Sequence, residues 1–149
     1  MSSLVQNRVM QPEKRKIAYF SMEYGLRPEL HIYSGGLGIL AGDTLKSCAD
    51  LALPVVGVGI MYRDGYFTQT FDDHGWQMDQ PKQWRREDVP GLRLLDVVLD
   101  VQLRDEKVVK VRLWQYDVVG ASGHIVPLIL LDTHFSANQG KLKEITAEL

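Results

Sequence analysis

Ile17-Ala18-Tyr19-Phe20-Ser21-Met22 is a short apolar run; Ser34-Gly35-Gly36-Leu37-Gly38 follows it, then a helical pattern, then Val55-Val56-Gly57-Val58-Gly59-Ile60-Met61. Such runs suit strands of a parallel sheet, where both faces are covered. Between them Leu37, Ala41, Leu45, Cys48 and Ala52 recur at spacings of three and four, which is one face of a helix. Leu53-Pro54 stops that helix. Strand, glycine loop, helix and strand make a βαβ unit, and the fold class is α/β.

Beyond this unit the pattern changes. Asp64-Gly65 is read as a hairpin turn joining Ile60-Met61-Tyr62 to Tyr66-Phe67-Thr68. Asp72-Asp73-His74-Gly75 is a second turn. From Leu94 the period becomes two. Val97, Leu99, Val101 and Leu103 share one strand face; Val109, Val111 and Leu113 share another after the charged turn Arg104-Asp105-Glu106-Lys107. Ile125 to Leu131 forms a third strand after Gly120-Ala121-Ser122-Gly123, giving a β-meander. Leu142 to Leu149 reads as a helix without a stop signal. One helix is too little cover for a parallel sheet, so the chain is expected to be part of something larger.

A chain of 149 residues with 45% hydrophobic and 24% charged residues can close a core and does not read as disordered. A net charge of -2 without a basic patch excludes an electrostatic nucleic-acid footprint. Arg85-Arg86-Glu87-Asp88 neutralises itself and is read as a solvated turn. The single cysteine, Cys48, cannot form an internal disulfide and reads as a buried thiol, which fits a reducing cytoplasm. No apolar stretch is long enough for a membrane span. Residues 1–15 are polar and read as a flexible leader. His31, His74, His124 and His134 lack metal-ligand spacing, and Trp76, Trp84 and Trp114 are assigned to core or cap packing.

Glycines before a helix let main-chain N–H groups meet a ligand, and the positive end of the helix favours an anion. The carboxyl end of a parallel strand is where α/β sheets bind ligands. Taken alone, the loop is equally compatible with a plain turn into a helix. Gly36-x-Gly38-x-x-Ala41 also matches a dinucleotide fingerprint. Two features oppose it: the glycines stand far from the first strand, and the second strand ends in Met61-Tyr62-Arg63 without an acid for a ribose.

The residues themselves say more than their spacing. Tyr19-Phe20-Ser21-Met22-Glu23-Tyr24-Gly25, Tyr33-Ser34-Gly35-Gly36-Leu37-Gly38-Ile39-Leu40-Ala41-Gly42-Asp43, Tyr62-Arg63-Asp64-Gly65-Tyr66-Phe67 and Gly75-Trp76-Gln77 occur in that order. Together they resemble the N-terminal portion of the α-glucan (glycogen, starch or maltodextrin) phosphorylases, in the shorter bacterial and archaeal type. The likeness covers most of the chain from Lys16 onward. It implies a GT-B type glycosyltransferase of two Rossmann-like domains, with residues 16–149 an incomplete N-terminal domain. It implies phosphorolysis of a terminal α-1,4-linked glucose of a glucan or maltooligosaccharide by inorganic phosphate, giving glucose 1-phosphate. Pyridoxal phosphate is the implied cofactor, bound by a lysine of a second domain that would continue this chain or come as a separate one. No catalytic residue, cofactor lysine or metal ligand is expected here, and Lys46 and Lys82 are given no such part.

By the same resemblance Gly35, Gly36 and Leu37 line the glucose and phosphate site, with the Gly36 and Leu37 amides as donors and Ser34 and Gly38 flanking them. Glu23 aligns with a glutamate near the bound sugar; its other reading is a polar strand end salt-bridged to an arginine. The alternative function is a non-catalytic module that binds carbohydrate or sugar phosphate. A nucleotide-sugar glycosyltransferase would carry a lysine just before the glycines, where this chain has Tyr33-Ser34.

Overall fold

The computed structural model describes residues 17–104 and 107–149; the expected leader, and Asp105 and Glu106 of the charged turn, lie outside them. The fold is mixed α/β. Strands β1 (Ile17–Phe20), β2 (Val55–Ile60), β5 (Arg93–Gln102), β6 (Val108–Val119) and β7 (Ile125–Asp132) form one sheet in the order β1-β2-β7-β6-β5. β1, β2 and β7 are parallel, while β6 and β5 follow as antiparallel neighbours. The meander thus joins the βαβ unit edge to edge, with β7 seated beside β2.

Helix α1 (Gly36–Asp50) covers one face. Its buried stripe is Gly38, Ala41, Gly42, Leu45 and Ala49. This corrects the expected stripe at both ends: Leu37 points outward, and Ala52 lies past the helix in a left-handed conformation (φ 52°). Leu53 N–H bonds the Cys48 carbonyl and Ala52 N–H that of Ala49, a Schellman ending with alanine where glycine is usual. Cys48 packs partly buried against the core. Leu45, Leu128 and Leu130 are fully buried there, and truncating such a leucine costs about 2–5 kcal/mol.

On the opposite face Val109, Val111, Leu113 and Ile129 form a smaller cluster, as the period-two pattern predicts. Leu99 and Val101 stand opposite Val111 and Val109. They remain 43% and 41% exposed because β5 is an edge strand, so the face they share is half open. The register slips by two residues between Leu94 and Val98, which keeps every side chain on its own face.

Four further expectations are corrected. Among the described residues β1 is an edge strand with a single neighbour and is largely exposed, not buried on both faces. Asp64-Gly65 turns no hairpin: Arg63 and Asp64 N–H groups bond the carbonyls of Thr146 and Ala147, drawing the chain away from β2. Asp64 opens β3 (Asp64–Phe71), which pairs with β4 (Gln77–Gln83) around the correctly expected Asp72–Gly75 turn. The C-terminal stretch is a 3₁₀ turn, Gly140–Thr146, followed by a bridge from Glu148 to Asp64. Finally, Trp76 is no core residue; it is 74% exposed beside the hairpin turn, while Trp114 is buried.

Candidate functional site

The parallel strands β1, β2 and β7 bring Phe20, Ile60 and Asp132 to one end of the sheet. The loop from β1 to α1 lies at that end. A shallow cleft of about 280 Å³ opens there among Phe20, Met22, Val58, Ile60 and Leu131. The β1 tail is fixed first. Ser21 N–H continues the ladder to the Val58 carbonyl. The buried Tyr24 hydroxyl donates to the Tyr19 carbonyl at 2.7 Å, and burial pushes that phenol well above its ordinary range.

The glycine loop docks on this tail. Gly25 N–H donates to the Gly38 carbonyl at 2.7 Å. A Cβ on Gly38 would run into Tyr33, and one on Gly42 into the Gly25 carbonyl oxygen. These two glycines serve close packing of helix on loop. Gly35 and Gly36 differ, since a Cβ on either would meet nothing within 4 Å. None of Gly35, Gly36 and Gly38 has a positive φ, so at Gly38 it is space that requires glycine, while neither conformation nor intramolecular packing requires it at Gly35 and Gly36.

Gly35 caps the helix with an extended backbone, and its carbonyl accepts from Gly38 N–H (3.1 Å) and Ile39 N–H (3.2 Å). Ser34 N–H donates to Glu23 Oε2 at 3.0 Å, and Ser34 Oγ donates to Glu23 Oε1 at 3.2 Å. The Ser34 and Gly38 amides are therefore engaged. Those of Gly35, Gly36 and Leu37 have no acceptor among the described residues. Glu23 is thus tied to Ser34, and no described arginine pairs with it. Its charge also helps burial raise the pKa of Tyr62 nearby, burial being the larger cause.

Asp64, the acid nearest the position a dinucleotide fold would use, is ion-paired to Arg63 at 2.8 Å. His31 stands edge-on to Trp84 at 5.7 Å, and burial holds it below the ordinary histidine value. His124 Nε2 lies 3.1 Å from the Leu53 carbonyl. Sequence reasoning missed one buried cluster. Asp132, fully buried at the end of β7, accepts from Arg112 Nε (2.8 Å), Trp114 Nε1 (3.0 Å) and His134 N–H (2.7 Å). Arg86 lies 4.0 Å from the same carboxylate and 5.9 Å from the Trp84 and Trp114 ring centroids. Its side chain is only 14% exposed, which corrects the solvated-turn reading at that residue; Arg85 does face solvent. An acid closing an otherwise apolar strand was the available signal.

Residues 24–124 match the model of the carbohydrate phosphorylase family. The chain belongs to that family. It is 43% identical over 139 residues to a glycogen phosphorylase of Mycobacterium tuberculosis, which covers 89% of this chain and 15% of the relative. A glycogen phosphorylase of Aquifex aeolicus is 40% identical over 141 residues, 91% of this chain and 20% of the relative. A maltodextrin phosphorylase of Thermococcus litoralis is 37% identical over 127 residues, 82% and 15% respectively. The chain spans a fifth or less of these enzymes' length. For a carbohydrate phosphorylase segment, the free loop amides fall inside the matched range, with Glu23 immediately before it.

Proposed function

We propose that this chain supplies the glycine-loop part of the sugar and phosphate site of an α-glucan phosphorylase. That enzyme releases glucose 1-phosphate from a terminal α-1,4-linked glucose of a glucan or maltooligosaccharide, using inorganic phosphate. The segment would be part of the first Rossmann-like domain of a GT-B enzyme that works in the cytoplasm. The observation that carries the reading is the run of three unengaged amides, Gly35 to Leu37, at the carboxyl end of the parallel strands. Two of them carry no side chain to obstruct a ligand. Donors fixed on a loop orient reactants and stabilise developing charge without reorganising.

The chain's own share ends there. Pyridoxal phosphate, implied by the family, does not fit the loop of this chain, where residues 33–38 include no lysine or arginine and Lys46 is paired with Asp43. A second lobe would hold it. A chimera with this chain in place of the matched segment of the Aquifex aeolicus relative tests the reading. It should form glucose 1-phosphate, and Gly36→Ala, which keeps the amide but puts a methyl into the open space a ligand must enter, should lower turnover. Equal turnover with Gly36→Ala in a folded chimera would reject the site. A non-catalytic carbohydrate-binding module is the second reading, because main-chain amides can bind a ligand but supply neither nucleophile nor general acid. An inactive chimera beside maltotriose binding by the chain alone would select it.

A further inference from the structure

We infer that Tyr24 is the positioning residue of this site: its side chain pins to the sheet the stretch of chain that holds the start of α1, and with it the Gly35–Leu37 amides. The inference rests on the site reading above and adds to it the residue that keeps those donors in place. Residues 21–35 run between β1 and α1. Donors at the end of so long an excursion act as a preorganised set only when something ties them to the rigid strands.

Tyr24 supplies that tie. It is fully buried, and its hydroxyl donates to the Tyr19 carbonyl at 2.7 Å and lies 3.2 Å from the Val58 carbonyl, on two neighbouring strands. Burial keeps the phenol protonated, so it remains a donor. Gly59 of β2 makes room for the ring: a Cβ there would stand 2.8 Å from Tyr24 Cε2. The main chain then passes the constraint on. Tyr24 N–H donates to the Ile32 carbonyl at 3.3 Å, and Gly25 N–H donates to the Gly38 carbonyl at 2.7 Å. The Gly25 carbonyl oxygen fills the space where Gly42 lacks a Cβ. Gly38 stands in the first turn of α1, directly after the three free amides. The β1–β2 ladder is thereby joined to the donors through residues 24, 25 and 38.

The test uses Tyr24→Phe, which keeps the ring and removes the hydroxyl, in the full chain labelled with nitrogen-15. Exchange of the Gly25 N–H with solvent should quicken about fivefold, the population change that one ordinary hydrogen bond is worth. Relaxation dispersion should appear at the Gly35, Gly36 and Leu37 amides. Val118→Ala is the control. It truncates the core where β6 pairs with the start of β7, at the opposite end of the sheet, and should leave the loop signals as they are. In the chimera with the Aquifex aeolicus relative, turnover per folded enzyme should fall several-fold with Tyr24→Phe and stay level with Val118→Ala, a split that a merely stabilising role of Tyr24 would not produce. Unchanged loop signals in Tyr24→Phe, or the same loop signature in Val118→Ala, overturns the inference. So does full turnover of Tyr24→Phe in a chimera that Gly36→Ala impairs, which leaves the site standing. A folded chimera indifferent to both Gly36→Ala and Tyr24→Phe removes the site reading and the inference together.

Discussion

Among single residues, Asp132 carries the most structural weight. It is fully buried, satisfies the Trp114 indole and the His134 amide, pairs with Arg112 and lies 4.0 Å from Arg86. Burial already pulls the Arg86 pKa down, opposed by Asp132. Removing one partner of such a cluster leaves an uncompensated buried charge, which costs about 3–5 kcal/mol. Asp132→Ala should therefore lower urea stability by that amount. Asp100→Ala removes an exposed pair with Lys110 (2.7 Å) and should cost less than about 1 kcal/mol. Similar losses in the two variants would show that Asp132 is not a keystone. The sequence exposed half of the logic at this scale. Gly35 and Gly36 were legible as open glycines. The packing duty of Gly38 and Gly42 was not, because Tyr33 and Gly25 reach them only once the loop has folded back.

At the scale of elements, local patterns were legible and distant pairings were not. The helix, its Leu53-Pro54 stop and the Asp72–Gly75 turn follow from short-range chemistry: Asp72 Oδ1 accepts from His74 N–H and Trp76 N–H, both at 2.9 Å, and Gly75 has φ 81°. Asp64-Gly65 carried an equally good turn signal, yet bonds to Thr146 and Ala147, some eighty residues on, overrode it. Nothing in a window of ten residues reports such a partner. The same holds for β7 lying beside β2. The β3–β4 ribbon that results is a separate two-stranded sheet, and such ribbons are marginal alone in water. Its amides should exchange with solvent faster than those of β2 and β7 under native conditions. Asp72→Ala should speed the ribbon's exchange several-fold without moving the global melting midpoint. Protection of β3 and β4 equal to the central strands would mean that the ribbon opens only with the whole molecule.

The whole molecule is a sheet with unequal faces. α1 seals one side with Leu45, Leu128 and Leu130 at its centre. On the other, Leu142 packs against the small valine-rich cluster, while Phe20 is 73% exposed and Leu99 and Val101 stay half open. Phe20 stands in register with Val58, and Val58 with Ile129, so apolar surface runs from β1 to β7 before Gln115 of β6 interrupts the row. Among the described residues both outer strands also present an unpaired edge. Parallel strands of this composition are normally covered on both faces, and relatives several times longer have the chain to provide that cover. The isolated chain should therefore self-associate, its weight-average sedimentation coefficient rising with concentration. Phe20→Lys with Val101→Lys should suppress the rise, and because both positions are substantially exposed each should change stability by no more than about 0.5 kcal/mol. A concentration-independent monomer in the unmodified chain would show that one covered face suffices for this sheet. Association undiminished by the two lysines would shift the contact to the strand edges, where main-chain pairing tolerates either side chain.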